Sequence, residues 1–291
     1  MIPSSSDDET LDKIVATVGS LPAAPSVVAT AMSLTSRQDS SISEISRVLS
    51  SDQSLAAKVL KLSNSSYYGR VKEVTTLNEA ILVLGILAVR SLIVATSAYS
   101  MFDVGDENGP EMKLWRHSLS TAVAARQFAT HIGHPQKEEI FVAALMHDIG
   151  KLVLMIKLPD LYSKVIGEVE ENASSFYRIE SEVLQFTHCD VASMLLGQWS
   201  FPRNLIRPIY RHHTPLSYEK GAPIPPSRII HAANYMAKLI AVGFNDEKIN
   251  NLSELDSIQM LGLDEEAIDR IFDASREHYE LEMRIINDTS K

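Results

Sequence analysis

The sequence predicts an all-α protein, and three observations carry that expectation. Apolar residues recur at three- and four-residue spacing along most of the chain. No Asn-Gly or Asp-Gly turn joins two alternating runs, so the usual hairpin signal is missing. Stretches bearing glycine and proline, 103–110 and 218–226, punctuate the helical runs.

The elements follow in order. Ser41-Ile42-Ser43-Glu44 offers a cap with an acid in the first turn, after which Ile42, Ile45, Val48 and Leu49 share one helical face. Asp52 starts the next helix, where Leu55, Val59, Leu60 and Leu62 continue an apolar stripe. Residues 77–98 are rich in Leu, Ile, Val and Ala. They read as two buried helices meeting near Gly85, with a strand as the alternative. Residues 103–110 (DVGDENGP), acidic with two glycines and a proline, form the best boundary and divide the chain into 1–105 and 106–291. Helical stretches are expected at 111–132, 137–156, 161–171, 174–186, 191–199 and 204–211. After the loop at 218–226 come a helix over 227–242 and two more from Leu255 onward.

Composition narrows the class. A chain of 291 residues that is 45% hydrophobic and 22% charged can form a core without a staple. The one cysteine, Cys189, excludes an internal disulfide and fits a reducing compartment. The start MIPSSSDDET is polar and acidic, unlike a signal peptide, and no apolar run reaches the ~18 residues of a membrane span. A cytoplasmic location is therefore expected. The net charge of -10, without a basic stripe, argues against a nucleic-acid partner.

The chemistry is concentrated late in the chain. None of the nine histidines precedes His117. His147-Asp148 closes an apolar stretch in FVAALMHDIGK, where an ionised carboxylate without a partner would be costly. Imidazole and carboxylate together suit iron, manganese or zinc. Gly150 allows close backbone approach, and Lys151 supplies a cation that could meet an anion. Taken alone, the dipeptide also reads as a helix end. His117, His188 and the pair His212-His213 lie in three further segments, and it is their number that favours a metal site. His131 and His134 flank Gly133 and read as an exposed connection. His231 carries a small weight because Asn234 follows it one turn later, and Cys189 reads as a small buried residue rather than a ligand.

The run LPAAPSVV (21–28), SDQSLAAKVLKLSNSSYYGR (51–70) and TTLNEAILVLGILAVRSLI (75–93), followed by WRHS, MHDIGK, THCDVASMLLGQWSFP and YRHHTP, resembles the HDOD domain, the HD-related output domain of bacterial signalling. The resemblance covers about residues 15 to 240. It implies an N-terminal helical subdomain packed on an HD-like one, and a regulatory or scaffold role alongside signalling proteins in trans, response regulators or cyclic-dinucleotide enzymes. The related HD-GYP phosphodiesterases place metal ligands at positions matching His117, His147, Asp148, His188, His212 and His213, all present here. The resemblance gives Asp148 and Lys151 catalytic roles if the chain is instead a metal-dependent phosphohydrolase acting on a nucleotide or cyclic dinucleotide. Three positions depart from that pattern. Asn234 stands where a late acidic ligand is expected, Lys113 replaces an upstream glutamate, and HHTPLSYEKGAP lacks the Gly-Tyr-Pro signature. The expected cofactor is a divalent metal, iron or manganese before zinc, in one firm site or an incompletely filled pair. An iron site with an open position would also allow gas or redox sensing.

Overall fold

A computed structural model describes residues 6–21, 42–50, 56, 59–60, 63–64, 74–86, 89, 109–217, 222–240, 243–244, 246–247 and 251–288. All regular structure among these residues is helical. The elements are α1 (Ser6–Val18), α2 (Ile42–Ser50), α3 (Leu77–Leu84), α4 (Pro110–His131), α5 (Lys137–Met146), α6 (Ile149–Lys157) and α7 (Pro159–Asn172). They continue with α8 (Phe176–Leu184), α9 (His188–Gln198), α10 (Arg203–Tyr210), α11 (Pro226–Ile240), a 3-10 turn (Leu252–Glu254), α12 (Asp256–Met260) and α13 (Glu265–Asp288). None of the described helices is long and apolar enough to cross a membrane.

α4 is the central strut. Pro110 opens it at a position where the missing N–H is no loss. Trp115, Leu119, Ala122, Val123 and Phe128 along it are all at most 1% exposed, so it is buried on nearly every side. α5, α11 and α13 pack against it. Its small residues, Ala122, Ala124, Ala125 and Ala129, allow that close packing. The buried pair Arg126–Glu282, 3.1 Å apart, ties α13 to α4, and the Arg126 guanidinium also covers the Phe141 ring of α5. α13 therefore spans two apolar clusters: Ile268 and Ile271 enter the main core, and Leu281 packs on the second.

That second cluster gathers Ile45 and Leu49 of α2, Val59, Val74, Ala80, Ile81 and Leu84 of α3, and Val89. Thr76 caps α3 through the Glu79 N–H, and Gly85 ends it with φ 83, a backbone state that favours glycine. Ile86 and Val89 are helical beyond it; most of the rest of 77–98 lies outside the described residues, as do Asp52, Leu55, Leu62 and 103–108. Asn64 ends a helical turn and binds residue 74 on both sides: its amide donates to the Val74 carbonyl at 2.8 Å and accepts the Val74 N–H at 2.7 Å. Ile14 and Val18 of α1 join the main core.

Two expectations need correction. The stretch 137–156 is not one helix; it breaks at His147-Asp148, where the Lys151 N–H turns back to the Asp148 carbonyl at 2.9 Å. Nor does His134 lie exposed in a connection. It is buried, takes the Gln136 N–H on Nδ1 and donates from Nε2 to the Ile224 carbonyl at 3.1 Å. Its hydrogen bonds tie the α4–α5 turn to the approach of α11. His131 is exposed, as expected.

Candidate metal centre

The break between α5 and α6 sets the centre. Asp148 sits at the N-terminus of α6, where the helix dipole favours a negative charge, and its side chain caps nothing. The carboxylate turns inward instead. Oδ2 lies 3.2 Å from His147 Nε2, 3.7 Å from His117 Nε2 and 2.7 Å from Lys151 Nζ. Oδ1 lies 3.2 Å from His188 Nε2 and 3.7 Å from His212 Nε2. His213 Nε2 approaches His188 Nε2 at 3.2 Å. The six residues singled out in the sequence thus converge, from α4, the α5–α6 junction, α9 and the turn after α10.

The hydrogen bonds fix which ring nitrogen faces inward. His147 Nδ1 contacts the Ala144 carbonyl at 2.6 Å and His212 Nδ1 the Ile209 carbonyl at 2.7 Å. A carbonyl can only accept, so both Nδ1 atoms carry the proton. Glu180 does the same for His188, accepting from Nδ1 at 2.6 Å and from the backbone N–H at 2.7 Å. Three imidazoles therefore point Nε2 at one place, with the far nitrogen anchored as it is behind metal-binding histidines.

Nothing among the described residues fully satisfies that place. Among them His147 Nε2 and Asp148 Oδ1 are buried without a hydrogen-bond partner. Their neighbours are near enough to feel charge but out of line for a bond. Each such atom costs about 1–3 kcal/mol if it stays unmet. His188 and His212 also bring their Nε2 atoms within 3.4 Å, which sets lone pair against lone pair unless a positive charge intervenes.

The electrostatics agree. Burial opposes charge on His188, but the Glu180 carboxylate overrides it and pushes the pKa up to about 10, so a proton is held where nothing else positive is supplied. Burial and neighbouring cations hold His117, His212 and His213 well below the usual imidazole range, in the neutral form a metal requires. Burial alone would raise the Asp148 pKa; His147 and Lys151 instead keep it well below the carboxylate range.

The donor atoms form two adjoining groups, His117–His147–Asp148 and His188–Cys189–His212–His213, each within 4.8 Å. Both groups could hold a metal. Cys189 is the poorest member. Its sulfur lies 3.7 Å from His212 Nδ1, behind the ring, and burial raises its pKa, which keeps it a thiol.

The family follows from comparison with known proteins. The HDOD domain profile matches residues 21–215, well over half of the chain. The chain belongs to the HDOD domain family. An HDOD domain protein of unknown function from Geobacter sulfurreducens shares its fold at 24% identity, with a TM-score of 0.73 over 93% of this chain and 96% of that one. A Shewanella amazonensis SB2B protein provisionally called a phosphohydrolase matches at 22% identity and TM-score 0.71, covering 95% of this chain and 98% of its own. A Marinobacter aquaeolei VT8 protein provisionally called a signal transduction protein matches at 19% identity and TM-score 0.76, over all of this chain and 68% of its own. No curated protein matches the chain.

In this HDOD chain the residue that sequence reasoning missed is Glu180. It is 0% exposed, and besides His188 it takes the Tyr162 hydroxyl at 2.5 Å. A signal existed: Phe176, Glu180 and Leu184 fall on one helical face, so a carboxylate sits within an apolar stripe. Glu180→Gln is expected to lower metal affinity about 10–100-fold, because the amide cannot accept both His188 protons and the Tyr162 hydroxyl. Competition titration with a chromogenic chelator measures it; wild-type affinity would remove Glu180 from the site.

Proposed function

We propose that this HDOD protein is a regulatory module that acts through separate signalling proteins, response regulators or cyclic-dinucleotide enzymes, and that its histidine cluster holds a divalent metal as part of its fold. The observation that carries this reading is closure. His147, His188 and His212 are 0% exposed, Asp148 is 1% and His117 8% exposed, and His213 alone of the six is partly exposed. Structural metal sites are closed, whereas catalytic ones keep a position open to substrate. Lys151 is committed as well: it is 5% exposed, bonded to Asp148, and packed 4.4 Å over the Phe176 ring. It is poorly placed to take a substrate phosphate.

Asp148, His188, His212 and His213 would hold one ion; His117 and His147, with Asp148 shared, would begin a second. Asn234 is buried with its Oδ1 unpartnered, and a neutral amide there leaves the second position poor in charge. Iron or manganese suits so many imidazoles with one carboxylate, and zinc also fits. Bound there, the ion supplies the positive charge on which the inward nitrogens and Asp148 converge.

One feature favours a second reading, a metal-dependent phosphohydrolase. A recess lined by His117, Lys151, Lys238 and Asp246 reaches the edge of the cluster, so one side of it is not fully closed. A bound metal would then activate water. Metal-reconstituted protein incubated with nucleotides, cyclic dinucleotides and a chromogenic phosphodiester separates the two. The module reading expects no turnover above the Asp148→Ala variant and a higher melting temperature with metal than without. Turnover that disappears in His147→Ala and Asp148→Ala would establish the hydrolase instead.

A further inference from the structure

Of the six clustered residues, His117 alone lines the recess at the edge of the site; its other walls are Lys151, Phe176, Lys238, Gly243, Phe244 and Asp246. The last three come from chain beyond α11, outside the matched family region. Phe244 meets the Phe176 ring edge-on at 5.1 Å and lies 5.4 Å beneath Lys113 Nζ. Lys113 is held in turn by Glu170 at 2.9 Å. Asp246 pairs with Lys238 at 3.0 Å, and each of these side chains is only 15% exposed. Lys238 also donates to the Glu247 carbonyl at 3.2 Å, and the Glu247 carboxylate accepts the Tyr235 hydroxyl at 3.0 Å. Gly243 closes over His117: a Cβ at this position would stand 3.7 Å from that of His117. Elements α4, α8 and α11 therefore all grip these residues, at the edge of the cluster where His117 meets the recess.

We infer that Phe244 and Asp246 plug the mouth of the cluster, that the Lys238–Asp246 ion pair latches the plug, and that a small oxyanion replacing Asp246 on Lys238 opens it. Phe244 supplies an apolar stopper against Phe176. Asp246 fills with its own carboxylate the seat beside Lys238 that an incoming anion would take. Such a latch makes access to the site a controlled property of the chain. It deepens the metal-site reading above and rests on it, but access can be measured apart from occupancy.

Diethyl pyrocarbonate labelling of the full chain after chelator treatment, read by peptide mass spectrometry, tests this. His131, exposed on the same helix, is the internal reference. The His117:His131 labelling ratio is expected to be low in wild type and to rise at least about five-fold in Asp246→Asn and in Lys238→Met, with helical content unchanged; a partly buried pair is stronger than the median surface one. Inorganic phosphate is expected to raise the wild-type ratio in the same direction. Phe244→Ala should do likewise, and carries the test if either charge variant fails to fold. A ratio unchanged in the folded variants, or already near one in wild type, would overturn the plug. Because no metal is needed, absence of metal from purified protein would count against the metal reading without deciding this one.

Discussion

Replacing Asp148 by alanine is expected to empty the metal site and destabilise the protein by about 3–5 kcal/mol, the cost of breaking a buried ion pair from one side. The carboxylate is the shared partner of Lys151 and of the inward nitrogens of His117, His147, His188 and His212. Without it, the Lys151 ammonium stays 5% exposed and loses its 2.7 Å partner. For a protein of this size the melting temperature should fall by roughly 5–8 °C. Asp148→Asn keeps the shape and removes the charge, and should lose the metal with a smaller fall. Circular dichroism melts beside metal content check both. Wild-type stability and metal content in Asp148→Ala would mean that the cluster is held by hydrogen bonds elsewhere.

The second large effect is expected at Gly150. A Cβ there would stand 2.0 Å from the His188 carbonyl oxygen and 3.0 Å from the Ala192 nitrogen, both backbone atoms that cannot turn aside. Gly150→Ala must push α6 and α9 apart, carrying Asp148 away from His188. Overpacking of this kind costs about 1–3 kcal/mol. The functional loss should be greater, since ligands set about an ångström too wide no longer share one ion. Gly167→Ala is the control: it lies in α7 with nothing near its Cβ, and should be neutral or stabilising by up to about 1 kcal/mol. A Gly150→Ala protein that binds metal like wild type would show that the crossing of α6 and α9 is looser than these distances imply.

The helical class and the run of elements were legible because apolar spacing survives in each segment: α10 (Arg203–Tyr210) and α11 (Pro226–Ile240) fall within about two residues of their expected bounds. The break at His147-Asp148 was legible only in part: the dipeptide taken alone reads as a helix end, yet the apolar spacing of 137–156 reads as one helix. Its flanks, Phe141 to Met146 and Ile149 to Met155, are all buried, so no polar face marks the end of α5 and Gly150 is the one local signal. The candidate ligands could be found because histidine is uncommon and chemically distinctive. Their supports were harder to find. Glu180 looks like one more acid on an amphipathic helix until α9 brings His188 against it, and His134 becomes buried only because residue 224 returns to meet it. Such contacts join separate elements, eight residues apart for Glu180 and His188 and ninety for His134 and Ile224, and leave only weak marks in local sequence.

The most direct test of the account is elemental analysis of wild type and Asp148→Ala, purified under nitrogen without chelator or nickel affinity resin. Near-stoichiometric iron, manganese or zinc in the wild type, absent from the variant, is the expected result. A wild type that carries no metal and takes up none on reconstitution would contradict it, leaving a hydrogen-bonded histidine cluster in which the His188 proton provides the positive charge.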